Sequence, residues 1–188
     1  MIIGVTGGIG VGKSYMVNTL SVHMTQFYII DLDCIGHSLL EKETVKREIV
    51  NVFGSTVLNQ KNQIHRPALG AYVFEKKEHL VTLNHIMHPR IKEETYKLIK
   101  EAASPHVMIV GALMKEISLI EVCDAMVLIT ADKKKRAIRI KGRENIAYMQ
   151  LTEDLYRQFS THVIHNIYTK DSVEKFLSLI QTLIRNHT

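Results

Sequence analysis

The chain has 188 residues, of which 46% are hydrophobic and 23% charged, a composition typical of one globular domain with its own core. The formal net charge of +5 suits an anionic ligand such as a nucleotide, but it is too small and too dispersed to indicate a nucleic-acid binder. The longest apolar run, Val107–Met114, is far shorter than the ~20 residues of a membrane span. Two cysteines without metal-ligand spacing, and no basic segment before the first strand, favour a cytoplasmic protein. The sequence leaves the oligomeric state open.

Short apolar runs of four to six residues recur along the chain and predict the strands of a sheet. Most of these runs are continuous rather than alternating, which is typical of parallel strands covered on both faces. The five predicted strands are Ile2–Thr6, Phe27–Asp31, His106–Gly111, Ala125–Thr130 and His162–His165.

Helical patterns lie between the strands, and this alternation predicts a three-layer α/β fold around a doubly wound parallel sheet. About 70 residues between the second and third strands are mostly helical and predict an insertion that closes over a substrate. A helix boundary is predicted at His88-Pro89, because proline disfavours helical geometry in the residue before it. The predicted helices are Lys13–Met24, two within Asp33–Phe53, Arg66–Phe74, Glu78–Met87, Pro89–Ala103, Asp132–Lys141, Gln150–Phe159 and Asp171–Arg185.

The segment Gly7–Ser14 fits the phosphate-loop pattern G-x-x-x-x-G-K-[ST], with Gly7 and Gly12 as its fixed glycines. A buried strand precedes the segment and a helix follows it, which is the context that the pattern requires. The glycines let successive backbone N–H groups turn toward one anion, and the helix N-terminus adds its positive dipole end. We expect Lys13 to reach the β- and γ-phosphates of a nucleotide and the Ser14 hydroxyl to bind Mg²⁺.

Two carboxylates, Asp31 and Asp33, follow the second strand, at the edge of the sheet where open α/β folds bind ligands. If the strand continues, their spacing points both side chains the same way. One of them can then accept a proton from a substrate hydroxyl, while the other holds a magnesium-bound water or caps the next helix. The residues alone do not separate the two roles.

A basic segment follows the fourth strand, and Arg136, Arg139 and Arg143 in it recur at the spacing of one helical face. Such a face can clamp the charge of a polyphosphate during transfer, although a run of this kind is more often a solvated surface. Arg66 opens a helix of the predicted insertion, where it either binds a substrate phosphate or is an ordinary surface arginine.

These motifs together resemble those of the dephospho-CoA kinase family along nearly the whole chain. Val5–Ser14 is similar to the family's T-G-G-I-G-S-G-K-S opening, and Ile30–Asp33 matches its D-x-D. The T-G-G-I-G variant followed in order by D-x-D, R-x-x-L and H-P is far more specific than a phosphate loop alone. Further matches are Arg66–Leu69 with Val73-Phe74 to R-x-x-L-x-x-x-V-F, Leu83–Pro89 to L-x-x-I-x-H-P, Arg139–Arg143 to the R-L-x-x-R lid segment, Gln150 to a lid-helix glutamine, and Val163–Asn166 to V-I-x-N.

The resemblance implies a P-loop kinase with its core at residues 1–33 and 104–188, a helical substrate-binding insertion at about 34–103 and a short lid at about 139–155. It implies transfer of the ATP γ-phosphoryl group to the 3′-hydroxyl of dephospho-CoA, giving CoA and ADP, with Mg²⁺ as the cofactor. The site residues it implies are Gly8, Gly10, Val11, Gly12, Lys13, Ser14, Tyr15 and Arg139 for ATP, Asp31, Asp33, Arg66 and His88 for the substrate, Asp33, Lys13, Arg139 and Arg143 for catalysis, and Ser14 and Asp33 for the metal.

The chain departs from the family pattern at three places. Ala112–Glu116 replaces a P-L-L-x-E stretch, Thr161 stands where an aspartate is common, and only seven positions separate Arg143 from Gln150. The short lid follows from the last of these. We expect the departures to affect lid closure and turnover more than ATP binding.

Three alternatives predict different results in solution. Another small-molecule P-loop kinase would release ADP with a different acceptor, although Arg66 and His88-Pro89 favour dephospho-CoA. A nucleotide-binding protein with an impaired lid would bind ATP without acceptor-dependent ADP release. A nucleic-acid binder built on residues 133–143 would show a salt-dependent affinity for DNA or RNA.

Overall fold

The computed structural model describes residues 1–187 and contains one sheet of five parallel strands. The strands are β1 (Ile2–Thr6), β2 (Phe27–Asp31), β3 (His106–Val110), β4 (Ala125–Ala131) and β5 (His162–Asn166). Their order across the sheet is β2-β3-β1-β4-β5, so β1 lies at the centre. The predicted α/β fold is confirmed, and each predicted strand agrees with the structure to within one residue.

The burial of the strands explains why their sequences are continuously apolar. β1 pairs with β3 on one side and with β4 on the other, and Ile3 lies opposite both Met108 and Ala125. All seven residues of β4 are buried, as are four of five in both β1 and β3. Helices cover both faces of such a sheet, so neither face favours polar side chains.

Helices occupy most of the chain between the strands. They are α1 (Lys13–His23), α2 (Leu32–Glu41), α3 (Glu43–Phe53), α4 (Arg66–Glu75), α5 (Lys77–Glu101), α6 (Lys133–Arg139), α7 (Glu144–Met149), α8 (Glu153–Gln158) and α9 (Lys170–His187), with short 3-10 helices at Ser55–Val57 and Ile120–Val122. Within residues 1–187, none of the helices is long and apolar enough to cross a bilayer.

The chain divides into two compact units. The first unit comprises Met1–Asp31 and the chain from Leu98 onward, and it contains the whole sheet. Its core buries apolar side chains of α1, α9 and the central strands, including Ile3, Val5, Met16, Leu20, Val127, Phe176 and Ile180. The second unit, Leu32–Lys97, is helical and has buried side chains of its own, including Leu39, Ile49, Phe53, Leu69 and Val73.

The helix boundary predicted before Pro89 is wrong, because α5 runs through that residue without interruption. A proline inside a helix costs about 3 kcal/mol, since it removes a backbone hydrogen bond and clashes with the preceding turn. Ile86 and Ile91 on either side are buried, and burial stabilises such side chains by ~1.5–3 kcal/mol each. The Arg90 guanidinium also donates to the Ile86 carbonyl and to Glu48 Oε2. Packing therefore outweighs the local preference of the proline.

The region after β4 is broken into shorter helices than the sequence predicts. α6 ends at Arg139, and Gly142 then takes a left-handed φ of 79° before α7 begins. α7 was not predicted. The helix predicted from Gln150 begins instead at α8, where the Thr152 hydroxyl caps the helix by accepting the Leu155 N–H. These ends are set by single residues, to which hydrophobic periodicity is insensitive.

Candidate active site

The loop between β1 and α1 has a backbone that depends on its glycines. Gly7, Gly10 and Gly12 have φ angles of 138°, 83° and 97°, which residues with a side chain rarely adopt. Gly12 is the N-cap of α1, and a side chain at this position would collide with the Asn166 amide. The positive end of the α1 dipole therefore lies at the end of a loop rich in turned N–H groups.

Lys13, the first residue of α1, folds back over this loop. Its Nζ donates to the carbonyl oxygens of Gly7 at 2.7 Å and Gly8 at 3.2 Å. The next two residues, Ser14 and Tyr15, are exposed. The arrangement puts one ammonium group against the first half of the loop and a hydroxyl group at the surface beyond it.

Three consecutive carbonyls of the loop each accept a hydrogen bond from a different side chain. The bonds run from Arg136 Nε to Ile9 O at 2.8 Å, from Tyr168 Oη to Gly10 O at 2.9 Å and from Asn166 Nδ2 to Val11 O at 2.8 Å. Gln150 Oε1 also accepts the Ile9 N–H at 2.7 Å. Side chains from α6, from the residue after α7 and from the end of β5 and just beyond it thus hold the loop by its backbone.

Sequence reasoning missed most of these contacts. Gln150 and Asn166 entered only as family matches, and Arg136 only as part of a basic face. Tyr168 carried no signal beyond its position just after β5. Its φ of 64° is a conformation that a tyrosine disfavours, so the residue type alone does not predict it.

The predicted arginine face is only partly present. The helix ends at Arg139, so Arg143 lies beyond it and does not share the face of Arg136. The Arg139 guanidinium lies 4.0 Å from the centre of the Tyr168 ring, a cation–π distance. Arg143 is exposed and donates from Nη2 to the Arg139 carbonyl at 3.1 Å.

The two predicted carboxylates lie on different elements. Asp31 is the last residue of β2, opposite Val110, whereas Asp33 lies in the first turn of α2 and is exposed. The strand does not continue past Asp31, so the condition for a shared direction of the two side chains is not met. Asp31 lies at the carboxyl edge of the sheet, from which the phosphate loop also extends. A negative charge such as that of Asp33 is favourable at a helix N-terminus.

The helical unit contains a polar cavity of about 310 Å³ beside the start of α4. Arg66, the first residue of α4, lines this cavity and is exposed. The polar residues that line the cavity are His37, Glu41, Lys46, Asn62, Gln63 and Arg66. Lys46 is already paired with Glu43 at 2.7 Å, so Arg66 is the lining cation that suits an anionic group.

His88, the other predicted substrate residue, is half-buried in α5. Its Nε2 is buried and has no hydrogen-bond partner within residues 1–187. Burial, and secondarily the charge of His85, lowers the pKa of His88 from its ordinary value of 6.5. The imidazole is therefore neutral at physiological pH.

The lowered pKa of His88 predicts a pH dependence of stability. The native state binds its proton less readily than the unfolded state, so the stabilisation is present above pH 6.5 and is lost as the pH falls toward the native pKa. We expect the melting temperature of His88→Gln to fall less than that of the wild type between about pH 7.5 and about pH 5.5. His23→Gln, at an exposed histidine, is the control. An equal fall in melting temperature over this pH range in all three proteins would contradict the prediction.

Residues 1–166 match the sequence model of the dephospho-CoA kinase family. The chain belongs to the dephospho-CoA kinase family. The dephospho-CoA kinase of Fusobacterium nucleatum is 36% identical over 149 residues, which cover 78% of this chain and 75% of that protein. The dephospho-CoA kinase of Pseudoalteromonas translucida is 32% identical over 161 residues, which cover 85% of this chain and 75% of that protein. The resemblance stated from the motifs is thereby confirmed.

Solved structures show the same fold. The protein TT1252 from Thermus thermophilus aligns with a TM-score of 0.79 at 24% identity, over 97% of this chain and 96% of that one. A dephospho-CoA kinase from Campylobacter jejuni aligns with a TM-score of 0.69 at 22% identity, over 100% and 98%. A shikimate kinase from Acinetobacter baumannii aligns with a TM-score of 0.54 at 15% identity, over 100% of this chain and 94% of that one. The dephospho-CoA kinase fold is therefore shared with a shikimate kinase.

Two positions at which the chain departs from the dephospho-CoA kinase pattern have structural contacts. The Thr161 hydroxyl donates to the Met126 carbonyl and accepts the Met126 N–H, both at 3.0 Å, which joins the start of β5 to β4. The Ala112 carbonyl accepts the hydroxyl of the buried Tyr156 at 3.3 Å. The Thr161 contact depends on its side chain, whereas the Ala112 carbonyl is a backbone group that a proline would also present.

Proposed function

We propose that this protein transfers the γ-phosphoryl group of ATP to the 3′-hydroxyl of dephospho-CoA, giving CoA and ADP. The observation that carries the proposal is the phosphate loop, with Lys13 Nζ against the carbonyls of Gly7 and Gly8, in a chain whose first 166 residues match the dephospho-CoA kinase family. A structural turn can require left-handed glycines, but it does not require a lysine followed by a serine. Phosphoryl transfer makes use of both side chains, because its catalysis is mainly positioning and charge stabilisation.

On the nucleotide side, the proposed ATP residues are Gly8, Gly10, Val11, Gly12, Lys13, Ser14, Tyr15 and Arg139. The backbone N–H groups of the loop donate to phosphate oxygens, and Lys13 moves from the loop carbonyls to the transferred group. Arg139 and Arg143 add positive charge from the lid, which stabilises the charge that develops during transfer.

The proposed cofactor is Mg²⁺, which neutralises phosphate charge when it is bound with ATP. Within residues 1–187, no three His, Cys, Asp or Glu side chains gather as a metal site. This agrees with magnesium in kinases, which takes most of its ligands from phosphates and water and only one or two from the protein. The exposed Ser14 hydroxyl suits one such ligand, and we propose Asp33 as the other.

On the acceptor side, we propose that Asp33 accepts the proton of the 3′-hydroxyl. The 3′-oxygen then forms a bond to the γ-phosphorus, and the bond from that phosphorus to the β,γ-bridging oxygen breaks, so that ADP leaves. Asp31, Arg66 and His88 complete the proposed substrate residues. The polar cavity at Arg66 supports a contact of this arginine with a phosphate of the substrate. A neutral imidazole at His88 supports a hydrogen bond rather than an ion pair.

We also propose a cytoplasmic location, which the cysteine content of the sequence supports, with two cysteines in 188 residues and no metal-ligand spacing between them. Burial raises the pKa of the Cys123 thiol to about 12, so this thiol is protonated and unreactive at neutral pH.

The direct test is the release of ADP from ATP and Mg²⁺, measured with dephospho-CoA present and absent. We expect release that depends on dephospho-CoA. Shikimate and nucleoside monophosphates are the control acceptors, because shikimate kinases share the fold. Turnover with one of these controls and not with dephospho-CoA would identify a different kinase, and ATP binding without turnover would indicate a nucleotide-binding protein.

ATP with Mg²⁺ is expected to stabilise the wild-type fold more than Mg²⁺ alone. A ligand that binds only the native state adds RT ln(1 + [L]/Kd), or about 2.7 kcal/mol at a hundredfold excess over Kd. For a chain of this size, each kcal/mol raises the melting temperature by about 2–4 °C. A thermal melt with millimolar ATP measures the shift, with adenosine as the control ligand. An unchanged melting temperature would mean that the loop binds no nucleotide.

A further inference from the structure

Tyr168 has a backbone conformation that its side chain disfavours. Its φ of 64° lies in the left-handed region, and it stands between the end of β5 and the start of α9. A bulky residue in this region is a genuine outlier, because its Cβ crowds the backbone. Such strain persists only where surrounding contacts over-determine it, and it concentrates at functional sites.

The side chain of Tyr168 packs against the core of the first unit, and three further contacts involve this residue, two of them on the nucleotide side of the protein. The backbone N–H of Tyr168 donates to Asn166 Oδ1 at 2.7 Å. Its hydroxyl donates to the Gly10 carbonyl at 2.9 Å, and the Arg139 guanidinium lies 4.0 Å from its ring centre. The strained residue thus connects the phosphate loop to a lid arginine.

The bond to Gly10 has a consequence for the next N–H group along the loop. A trans peptide is planar, and its C=O and N–H point in opposite directions. The hydroxyl of Tyr168 fixes the Gly10 carbonyl, so it also fixes the direction of the Val11 N–H. The Arg136 and Asn166 side chains act in the same way on the neighbouring peptides, where they bind the Ile9 and Val11 carbonyls.

Side chains therefore hold three successive peptide planes by their carbonyl groups. These planes carry the N–H groups of Gly10, Val11 and Gly12. N–H groups of this kind form the anion-binding concavity of a phosphate loop. A preorganised concavity binds more tightly, because the loop does not lose freedom when the phosphates arrive.

We propose that Tyr168 is a positioning residue of the nucleotide site, which sets the phosphate-binding N–H groups through the Gly10 carbonyl and keeps Arg139 beside the loop through its ring. The kinetic measurements of its test rest on the proposed function, whereas the measurement of Kd requires only that the protein bind ATP. Tyr168 contacts the loop and the arginine rather than the reacting atoms, so its effect falls on ATP affinity before it falls on kcat.

The test compares Tyr168→Phe, which removes only the hydroxyl, with Tyr168→Gly, which also removes the ring and relieves the left-handed strain. Tyr28→Phe, at a partly exposed tyrosine of β2, is the matched control. The measurements are the Kd and KM for ATP, kcat, and the melting temperature without ligand. For Tyr168→Phe we expect Kd and KM to rise about threefold to tenfold, the range of one lost hydrogen bond, with kcat nearly unchanged.

For Tyr168→Gly we expect a larger loss of ATP affinity than for Tyr168→Phe, and a melting temperature set by two opposing effects, the relieved backbone strain and the lost packing of the ring against the core. A loss of ATP affinity in Tyr168→Phe without a matching fall in melting temperature identifies a positioning residue, because a purely structural residue lowers both. ATP binding within twofold of the wild type in both variants would overturn the proposal. A parallel fall of melting temperature and ATP affinity in Tyr168→Phe would also overturn it. If the wild type binds ATP but releases no ADP with dephospho-CoA, the proposed function is wrong. The comparison of Kd values between the wild type and the variants then decides by itself whether Tyr168 is a positioning residue.

Discussion

The Asp33→Asn enzyme is expected to turn over roughly 10²–10⁴-fold more slowly than the wild type, the usual contribution of a general base. Asparagine keeps the size of the side chain and much of its hydrogen bonding, but it cannot accept a proton from the 3′-hydroxyl. Affinity for ATP should change little. The measurements are kcat for dephospho-CoA-dependent ADP release, Kd for ATP and the melting temperature.

Asp31→Asn is the matched control, because Asp31 ends β2 only two residues before Asp33. If Asp31 is the base, the loss of kcat will appear in that variant instead. If both carboxylates only stabilise the N-terminus of α2, each change will cost about 1 kcal/mol of stability or less and leave kcat nearly intact. Near-wild-type turnover by Asp33→Asn would rule out our assignment.

Lys13→Ala is expected to lower kcat by about 10²-fold or more while the fold stays intact. In the absence of substrate, the Lys13 ammonium binds the carbonyls of Gly7 and Gly8 at the surface of the loop. Its removal costs two hydrogen bonds at a half-exposed position, so the melting temperature should fall only slightly. Removal of its charge from the transferred phosphoryl group should have a far larger effect on turnover.

Lys175→Ala, at an exposed lysine of α9, controls for the loss of one surface charge in the same unit. We expect it to match the wild type in kcat and melting temperature. A Lys13→Ala enzyme that retains more than about a tenth of the wild-type kcat would contradict the role of Lys13, given the usual size of such electrostatic effects.

The parts of the structure that could be predicted are those with strong local signals. Each strand is a short apolar run that a covered parallel sheet requires, and the loop pattern carries its own context of strand and helix. Pro89 shows where local signals fail. Its intrinsic preference ends a helix, but buried neighbours in α5 stabilise the helix through it, and that burial is a property of the packed unit.

The candidate site divides in the same way. The loop pattern places a lysine and a serine directly after its second fixed glycine, so Lys13 and Ser14 could be identified from the sequence. Arg143 was expected on one face with Arg136, but the helix ends between them, and that end depends on a single glycine turn. Tyr168 could not be predicted, because its contacts join segments about 150 residues apart and its conformation contradicts its residue type.

The central place of β1 in the sheet bears on how the protein is made. β1 is synthesised before both of its partners, because Ile2 pairs with Val107 and Ile3 with Ala125, so it has no partner strand until β3 has left the ribosome. Parallel pairing of such distant segments is slow, because a long loop must close before any contact forms. The side chains that hold the phosphate loop by its backbone follow later still, and Tyr168 is the last of them. A nascent chain thus carries the complete glycine sequence long before it has a nucleotide site, and the ability to bind ATP is among the last properties that it gains.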